Sequence, residues 1–167
     1  GLPEEKVIVH TTYLGGGFGR RWETDVLVEA VQCSKAAGVP VRVTWTREDD
    51  MRHDFYRPVS HHVLSGGVSA DGKLVAFTHR VVAPSITGQS SPERIKDGLD
   101  KGAVEGTINL PYDIPNLQIE YVMANTPVPI GSWRSVYPSQ NVFALECFMD
   151  ELAGAAGKDP YAFRRAL

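Results

Sequence analysis

The dipeptide Asp71-Gly72, set between two apolar, β-branched runs at 61–68 and 74–82, limits the fold of this chain more than any other feature. Glycine accepts the positive φ of a tight reversal, so the two runs are expected to pair antiparallel through a loop slightly longer than two residues. Such a hairpin does not fit a purely parallel, doubly wound sheet. Helical patterns lie before and after it, and the expected class is therefore α+β, a mixed β-sheet with helices packed mainly on one side.

Three more runs read as strands: residues 6–13, expected to be buried and to enter a glycine loop, residues 41–46 by alternation, and residues 117–122. A helix is expected from Thr24 as N-cap, with Leu27, Ala30, Val31 and Ser34 at helical spacing and Gly38 with Pro40 as its end. The charged stretch 47–52 reads as a solvated turn, Ser91-Pro92-Glu93 as the start of a short helix, and residues 111–116 as a turn-rich connector. A long amphipathic helix, capped by Ser139, would carry Val142, Leu145, Phe148, Met149, Leu152 and Ala156 on one face and stop at Gly157. Asp159-Pro160 would open the last helix as N-cap and N1.

At 167 residues the chain is long enough to bury a core as one domain spanning 1–167, and 43% hydrophobic with 22% charged residues is an ordinary globular composition. A net charge of -3 offers no global positive field, so no nucleic-acid partner is expected. No apolar run approaches the roughly 18 residues that span a bilayer, so no transmembrane segment is expected. Cys33 and Cys147 lack neighbours at ligand spacing and are read as core thiols. The first residues show neither an initiator Met nor a signal-peptide core, and the final helical pattern is still running at Leu167, so the chain is expected to be a piece of a larger subunit. An export signal would precede it, which leaves periplasm and cytoplasm both open.

Two loops could carry chemistry. Gly15-Gly16-Gly17-Phe18-Gly19-Arg20-Arg21 precedes a helix, and its glycines would let backbone N–H groups turn inward as an anion nest. Arg20 stands where a dinucleotide fingerprint or a P-loop starting at Gly15 would need glycine, and a tight connection without a ligand is the other reading. The second loop is Trp133-Arg134-Ser135, just before a helix, where the Arg134 fork suits phosphate or a polarised oxygen; a solvated surface arginine is the plainer alternative. His61 and His62 are adjacent and would point to opposite faces of a strand, so they form no chelate there. His10 and His79 are read as core or edge residues, and Glu146, Asp150 and Glu151 as the polar side of the long helix.

At these loops the sequence resembles the molybdenum-cofactor-binding subunit of the xanthine dehydrogenase and aldehyde oxidase family. Residues 14–21 are similar to its glycine-phenylalanine-glycine loop, and residues 133–140, with Gln140 six after Arg134, are similar to its arginine loop. Residues 40–51 and 114–117 fall in the family's order, so the likeness covers essentially the whole chain, and the double arginine with Gly131-Ser132-Trp133-Arg134-Ser135 is most similar to the isoquinoline 1-oxidoreductase β-subunit branch.

The resemblance implies an oxidoreductase subunit that hydroxylates an aldehyde or N-heterocycle with water-derived oxygen and passes electrons to 2Fe-2S clusters in a partner iron-sulfur subunit. The cofactor implied is molybdopterin with molybdenum, in its cytosine dinucleotide form, held by pterin sulfurs and needing no protein ligand to the metal. Gly16, Gly17, Phe18, Gly19, Arg20, Arg134 and Ser135 would bind it, with the Phe18 N–H and Arg134 lining the molybdenum pocket. Trp22 and Val136 would face a small-molecule substrate, and since purine-oxidising relatives carry glutamate and an aromatic residue there, purines are not the expected class. The catalytic glutamate base is expected downstream in the remainder of the large subunit. The isolated segment is therefore expected to bind no cofactor and to be inactive. A catalytically silent scaffold domain, or a phosphate- or nucleotide-binding module using the glycine loop alone, are the rival readings.

Overall fold

The computed structural model of the chain describes residues 2–167. Its centre is a three-stranded sheet of β1 (His61–Val68), β2 (Leu74–Ala83) and β3 (Leu117–Met123), in the order β1-β2-β3. β1 and β2 form the expected antiparallel hairpin, with His62 opposite Val81 and Leu64 opposite His79. Its loop closes through Gly72 N–H to Ser69 O (2.8 Å) and Ser69 N–H to Lys73 O (2.9 Å), with Gly72 at φ 74°. β3 then pairs parallel to β2, Phe77 opposite Leu117, so the sheet is mixed.

Alternation along β2 sends Leu74, Phe77, His79, Val81 and Ala83 inward, while Val75, Thr78 and Arg80 stay exposed. The long helix named α4 below (Pro138–Ala155) covers the inward face with Leu145, Met149, Leu152 and Ala153. Gly66 lets it approach: a Cβ there would stand 2.7 Å from Leu152 Cδ2. Among the described residues five α-helices accompany the sheet: α1 (Asp25–Ala37), α2 (Arg47–Arg52), α3 (Ile86–Ser90), α4, and α5 (Pro160–Arg165). α5 docks on α4 through Arg164, which donates to Glu146 Oε2 (2.8 Å) and Asp150 Oδ1 (2.6 Å). These two carboxylates, expected on a solvated face, thus hold the last helix in place.

Several local expectations are overturned. Residues 6–13 are not a buried strand: Glu4–Lys6 is a 3₁₀ turn and residues 7–13 run without regular pairing, exposed throughout, His10 included. Residues 40–46 are likewise unpaired. A strand exists only with a neighbour to complete its ladder, and the described residues bring none alongside either run. Stretch 47–52 is a helix rather than a turn, because Thr46 and Asp49 form a capping box, Asp49 N–H to Thr46 Oγ1 (3.2 Å) and Thr46 N–H to Asp49 Oδ2 (3.1 Å). Thr24 stands at the N-cap of α1 without a side-chain cap bond, and no residue of α1 is buried.

Cys33 and Cys147 are exposed, not core thiols: α1 buries none of its residues, and on α4 the buried positions are Asn141, Leu145, Met149, Leu152 and Ala153. Ser139 is not the cap of α4: Pro138 occupies N1, which moves the cap to Tyr137. Val142 faces solvent, and Asn141 takes its expected place in the core. Among the described residues no helix is long and apolar enough to cross a membrane.

Candidate functional site

The glycine loop adopts the backbone its composition allows. Gly15, Gly16 and Gly19 have φ of 66°, 109° and 93°, and Phe18, without glycine's freedom, is held at φ 50°. Glycine is required at 19 for a second reason, because a Cβ there would lie 1.9 Å from Ser132 O. The carbonyls of the loop are used: Gly17 O accepts from Arg20 N–H (3.0 Å), Gly19 O from Trp22 N–H (3.3 Å), and Phe18 O from Arg134 N–H (2.9 Å). Its N–H groups are not. Among the described residues no N–H from Gly15 to Gly19 donates to a backbone carbonyl, which leaves them available as anion donors.

The arginine loop is strained where it turns. Ser135 and Val136 sit at φ 70° and 42°, and for a β-branched residue such as Val136 this region costs about 1–3 kcal/mol. Arg57 holds the turn. Its Nη1 donates to Val136 O (2.6 Å) and Ser139 Oγ (3.0 Å), its Nη2 donates to Arg134 O (3.1 Å), and its guanidinium lies 4.6 Å from the Trp133 ring centroid. Arg57 is itself positioned by Tyr56, whose N–H donates to Pro129 O and whose carbonyl accepts from Gly131 N–H, both at 3.0 Å. Sequence reading missed Arg57, which belongs to no motif; the neighbouring Pro58 marks only an extended segment.

Behind the loop, the start of α4 is fixed to the sheet. Tyr137 Oη donates to Pro84 O (2.7 Å) and accepts from Ile86 N–H (2.9 Å), and burial pushes its phenol up to about 12, so it stays neutral. One turn on, buried Asn141 donates to Ala103 O and Glu105 O, both at 2.9 Å. The arginine loop therefore projects from a rigid base.

The two loops meet. Besides the Arg134 N–H to Phe18 O bond, the Arg134 guanidinium carbon stands 5.9 Å from the Phe18 ring centroid, and among the described residues Arg134 makes no ion pair. Beside this junction lies a groove of about 820 Å³, lined by the whole run from Gly16 to Arg21, by Ser132 and Trp133, and by Arg57. That is the size of a cofactor site. Arg134 and Ser135 do not line the groove, and neither do Trp22, which is 84% exposed, or Val136, which packs against Val81, Ala83 and Tyr137.

Arg20 is committed elsewhere. Its two terminal nitrogens bond both oxygens of Asp25 (2.8 and 2.7 Å), and its Nε is paired with Asp54 (2.5 Å). The Arg20 hydrogen bonds hold the Asp25 carboxyl below its ordinary range, and that pairing raises Arg20 in turn. The side chain of Arg20 thus ties the glycine loop to α1 and to residue 54, leaving its backbone as the part that faces the groove.

Comparison with known proteins gives a consistent result. The profile of the molybdopterin cofactor-binding domain matches residues 1–166. The chain is 31% identical to isoquinoline 1-oxidoreductase subunit beta of Brevundimonas diminuta, over 99% of this chain and 22% of that protein. It is 33% identical to the membrane-bound aldehyde dehydrogenase [pyrroloquinoline-quinone] of Gluconacetobacter polyoxogenes, again over 99% of this chain and 22% of the relative. Among solved structures it is similar in fold to quinoline 2-oxidoreductase from Pseudomonas putida 86, with a TM-score of 0.67 at 22% identity over 90% of this chain and 19% of the other. The chain spans about a fifth of the length of the curated relatives it matches.

Proposed function

Because this chain belongs to the molybdopterin cofactor-binding domain family, we propose that the groove between its two loops is one part of a molybdenum-cofactor site in a larger oxidoreductase subunit. The observation that carries this reading is the junction itself, where Arg134 N–H closes on Phe18 O while the N–H groups of the glycine loop stay unspent. A row of free N–H donors beside a groove of about 820 Å³ suits the phosphate and oxo groups of such a cofactor. Gly16, Gly17, Phe18 and Gly19 would present those donors, Arg20 would contribute its main chain, and Arg134 with Ser135, which stand at the loop junction outside the groove lining, would reach the cofactor beyond it. When bound, the group supplies two-electron oxidation of an aldehyde or N-heterocycle carbon with oxygen taken from water.

The protein's own part is orientation. Gly19 permits the contact with Ser132, Arg57 keeps Ser135 and Val136 in their left-handed turn, and Tyr137 anchors the base of the loop. Trp22 and Val136, neither of which lines the groove, are assigned to the substrate side, where apolar side chains suit an aromatic N-heterocycle or an aldehyde better than a purine. The remainder of the subunit would supply the general base, a partner iron-sulfur subunit would take the electrons through 2Fe-2S clusters, and the cytosine dinucleotide form of the cofactor is the form proposed. Residues 1–167 form a single domain of that assembly and alone turn over nothing.

The test is the molybdenum and cytosine nucleotide content of the purified full-length subunit. Gly19→Val, which would drive a side chain into Ser132, is expected to lower both by about tenfold or more, and Arg134→Ala to lower them less. Full content in Gly19→Val with an unchanged circular dichroism spectrum would refute the site. Tight capture of a simple nucleotide with no pterin would instead favour a nucleotide-binding module.

A further inference from the structure

Two imidazoles inside the molecule belong to neither loop, yet they stand beside the segment that carries Arg57. His79, on the inward face of β2, is fully buried, and its Nε2 lies 2.9 Å from Nδ1 of half-buried His62 on β1. The second ring nitrogen of His62, Nε2, lies 2.8 Å from Ser60 Oγ. The second ring nitrogen of His79, Nδ1, is buried and has no hydrogen-bond partner among the described residues.

These contacts fix where the protons sit. Two neutral imidazoles share a hydrogen bond only when one nitrogen carries the proton and the other is bare. A buried acceptor without a partner is tolerated better than a buried N–H without one, so Nδ1 of His79 is the bare atom and its Nε2–H donates to His62. His62 then donates through Nε2–H to Ser60 Oγ. A further proton has no place in this row. On His79 Nδ1 it would make a buried N–H facing no acceptor, and on His62 Nδ1 it would set one N–H against another.

No carboxylate acts on the pair to offset such a charge; besides the two imidazoles themselves, exposed His61 is the group that does. Opposite His79 in the sheet stand Leu64 and Ile119, and Arg80 beside it is paired with Glu120 of β3. On α4, Tyr137 stays neutral, Glu146 and Asp150 are held by Arg164, and Glu151 is exposed.

Ser60 ends the strap 57–60, which leads from Arg57 into β1. Pro58 O on this strap accepts from Gln140 Nε2 (3.3 Å), so the strap is tied to the start of α4 on one side and to the histidine row on the other. We infer that His62 and His79 are positioning residues for the arginine loop: as a neutral pair they hold the strap through Ser60, and with it the Arg57 clamp on Arg134 and Val136, and an added proton on the pair releases that hold.

Amide hydrogen exchange on the full-length subunit tests this at the Arg134 and Val136 amides, which donate to Phe18 O and Trp133 O, with β2 as the internal reference. Protection at these two amides is expected to lie at least about tenfold below that of β2, which marks a local opening. Corrected for the intrinsic pH dependence of exchange, it is expected to fall by up to about tenfold per pH unit from the ordinary imidazole value of 6.5 down to about pH 5. His62→Gln and Ser60→Ala are each expected to flatten that fall to less than about twofold, Ser60→Ala while leaving the pH response of β2 as in the parent. Ser60→Ala deletes a single half-buried oxygen, so it keeps the test decisive should His62→Gln not fold. Protection in the parent loop that does not change with pH, protection equal to that of β2, or a fall that survives Ser60→Ala would each overturn the inference. None of these readouts depends on molybdenum content, so a failed latch and a failed cofactor site are told apart.

Discussion

β2 and α1 are elements of comparable length and apolar content in two parts of one molecule. β2 buries five of its side chains, among them Leu74 and Phe77 against α4 and Val81 and Ala83 with Ala103 and Tyr137, and α1 buries none. The difference does not lie in the elements: α1 has its apolar spacing, an acidic first turn and Gly38 in the left-handed conformation at its end. It lies in what stands opposite. Burial is a property of pairs of surfaces, and a helix whose apolar stripe has no facing surface keeps its hydrogen bonds while contributing little hydrophobic free energy.

The comparison is broken most directly at the centre of the sheet. Phe77→Ala removes a fully buried ring that packs against α4, its Phe148 ring included, and is expected to cost about 3–5 kcal/mol in urea unfolding. A loss under 1 kcal/mol would mean that the sheet and α4 do not form the stabilising core.

The second test uses pH. His79 is buried beside His62, with His62 Nδ1 and His79 Nε2 2.9 Å apart, and burial pushes the His79 imidazole down to about 4 from an ordinary 6.5. His62 is lowered as well, by burial and by His61. Between those values the unfolded chain holds a proton that the folded chain refuses. Stability is therefore full above 6.5 and falls as pH drops toward 4, by on the order of 2 kcal/mol. His79→Gln is expected to flatten the urea midpoint between pH 7 and pH 5; an equally steep profile in the variant would remove His79 as the cause.

Smaller is the expected effect of Arg57→Lys, which keeps the charge but loses the fork that reaches Val136 O, Arg134 O and Ser139 Oγ together. Global stability should fall by about 1 kcal/mol, while amides of residues 132–137 exchange about tenfold faster than in the parent. Unchanged exchange in that loop would show that its left-handed turn stands without Arg57. Smallest of all, Leu27→Ala on α1 is expected to change the stability of the 167-residue chain by less than about 0.5 kcal/mol.

What could be read from the residues follows the same line. The hairpin and the last helix were legible because each rests on local chemistry, Gly72 at its turn and Asp159 accepting from Ala162 N–H, whereas the meeting of the two loops followed only from the family resemblance. Residues 6–13 and 41–46 carry equally good strand signals, but pairing depends on a partner that local sequence does not contain. The capping box at Thr46 is masked in the sequence by the run of charged residues that follows it, in which Asp49 is one of three consecutive acidic residues. Arg57 could not have been found, since its role comes from carbonyls about eighty residues away, at Arg134 and Val136.

The two neighbours of β2 join it on different terms. β1 is reached through the short reversal at 69–73, whereas β3 arrives only after residues 84–116 have made an excursion and returned. Closing the short loop orders few residues, and closing the long one must wait for contacts that compensate a larger loss of chain freedom. The hairpin is accordingly expected to form before the parallel pairing, while Tyr137 ties the chain just after β2, at Pro84 and Ile86, to the start of α4. Since that bridge joins residues more than fifty apart and also sets the base of the arginine loop, the loop is expected to take its final geometry late in folding, and a partly folded chain would present the glycine loop without its counterpart.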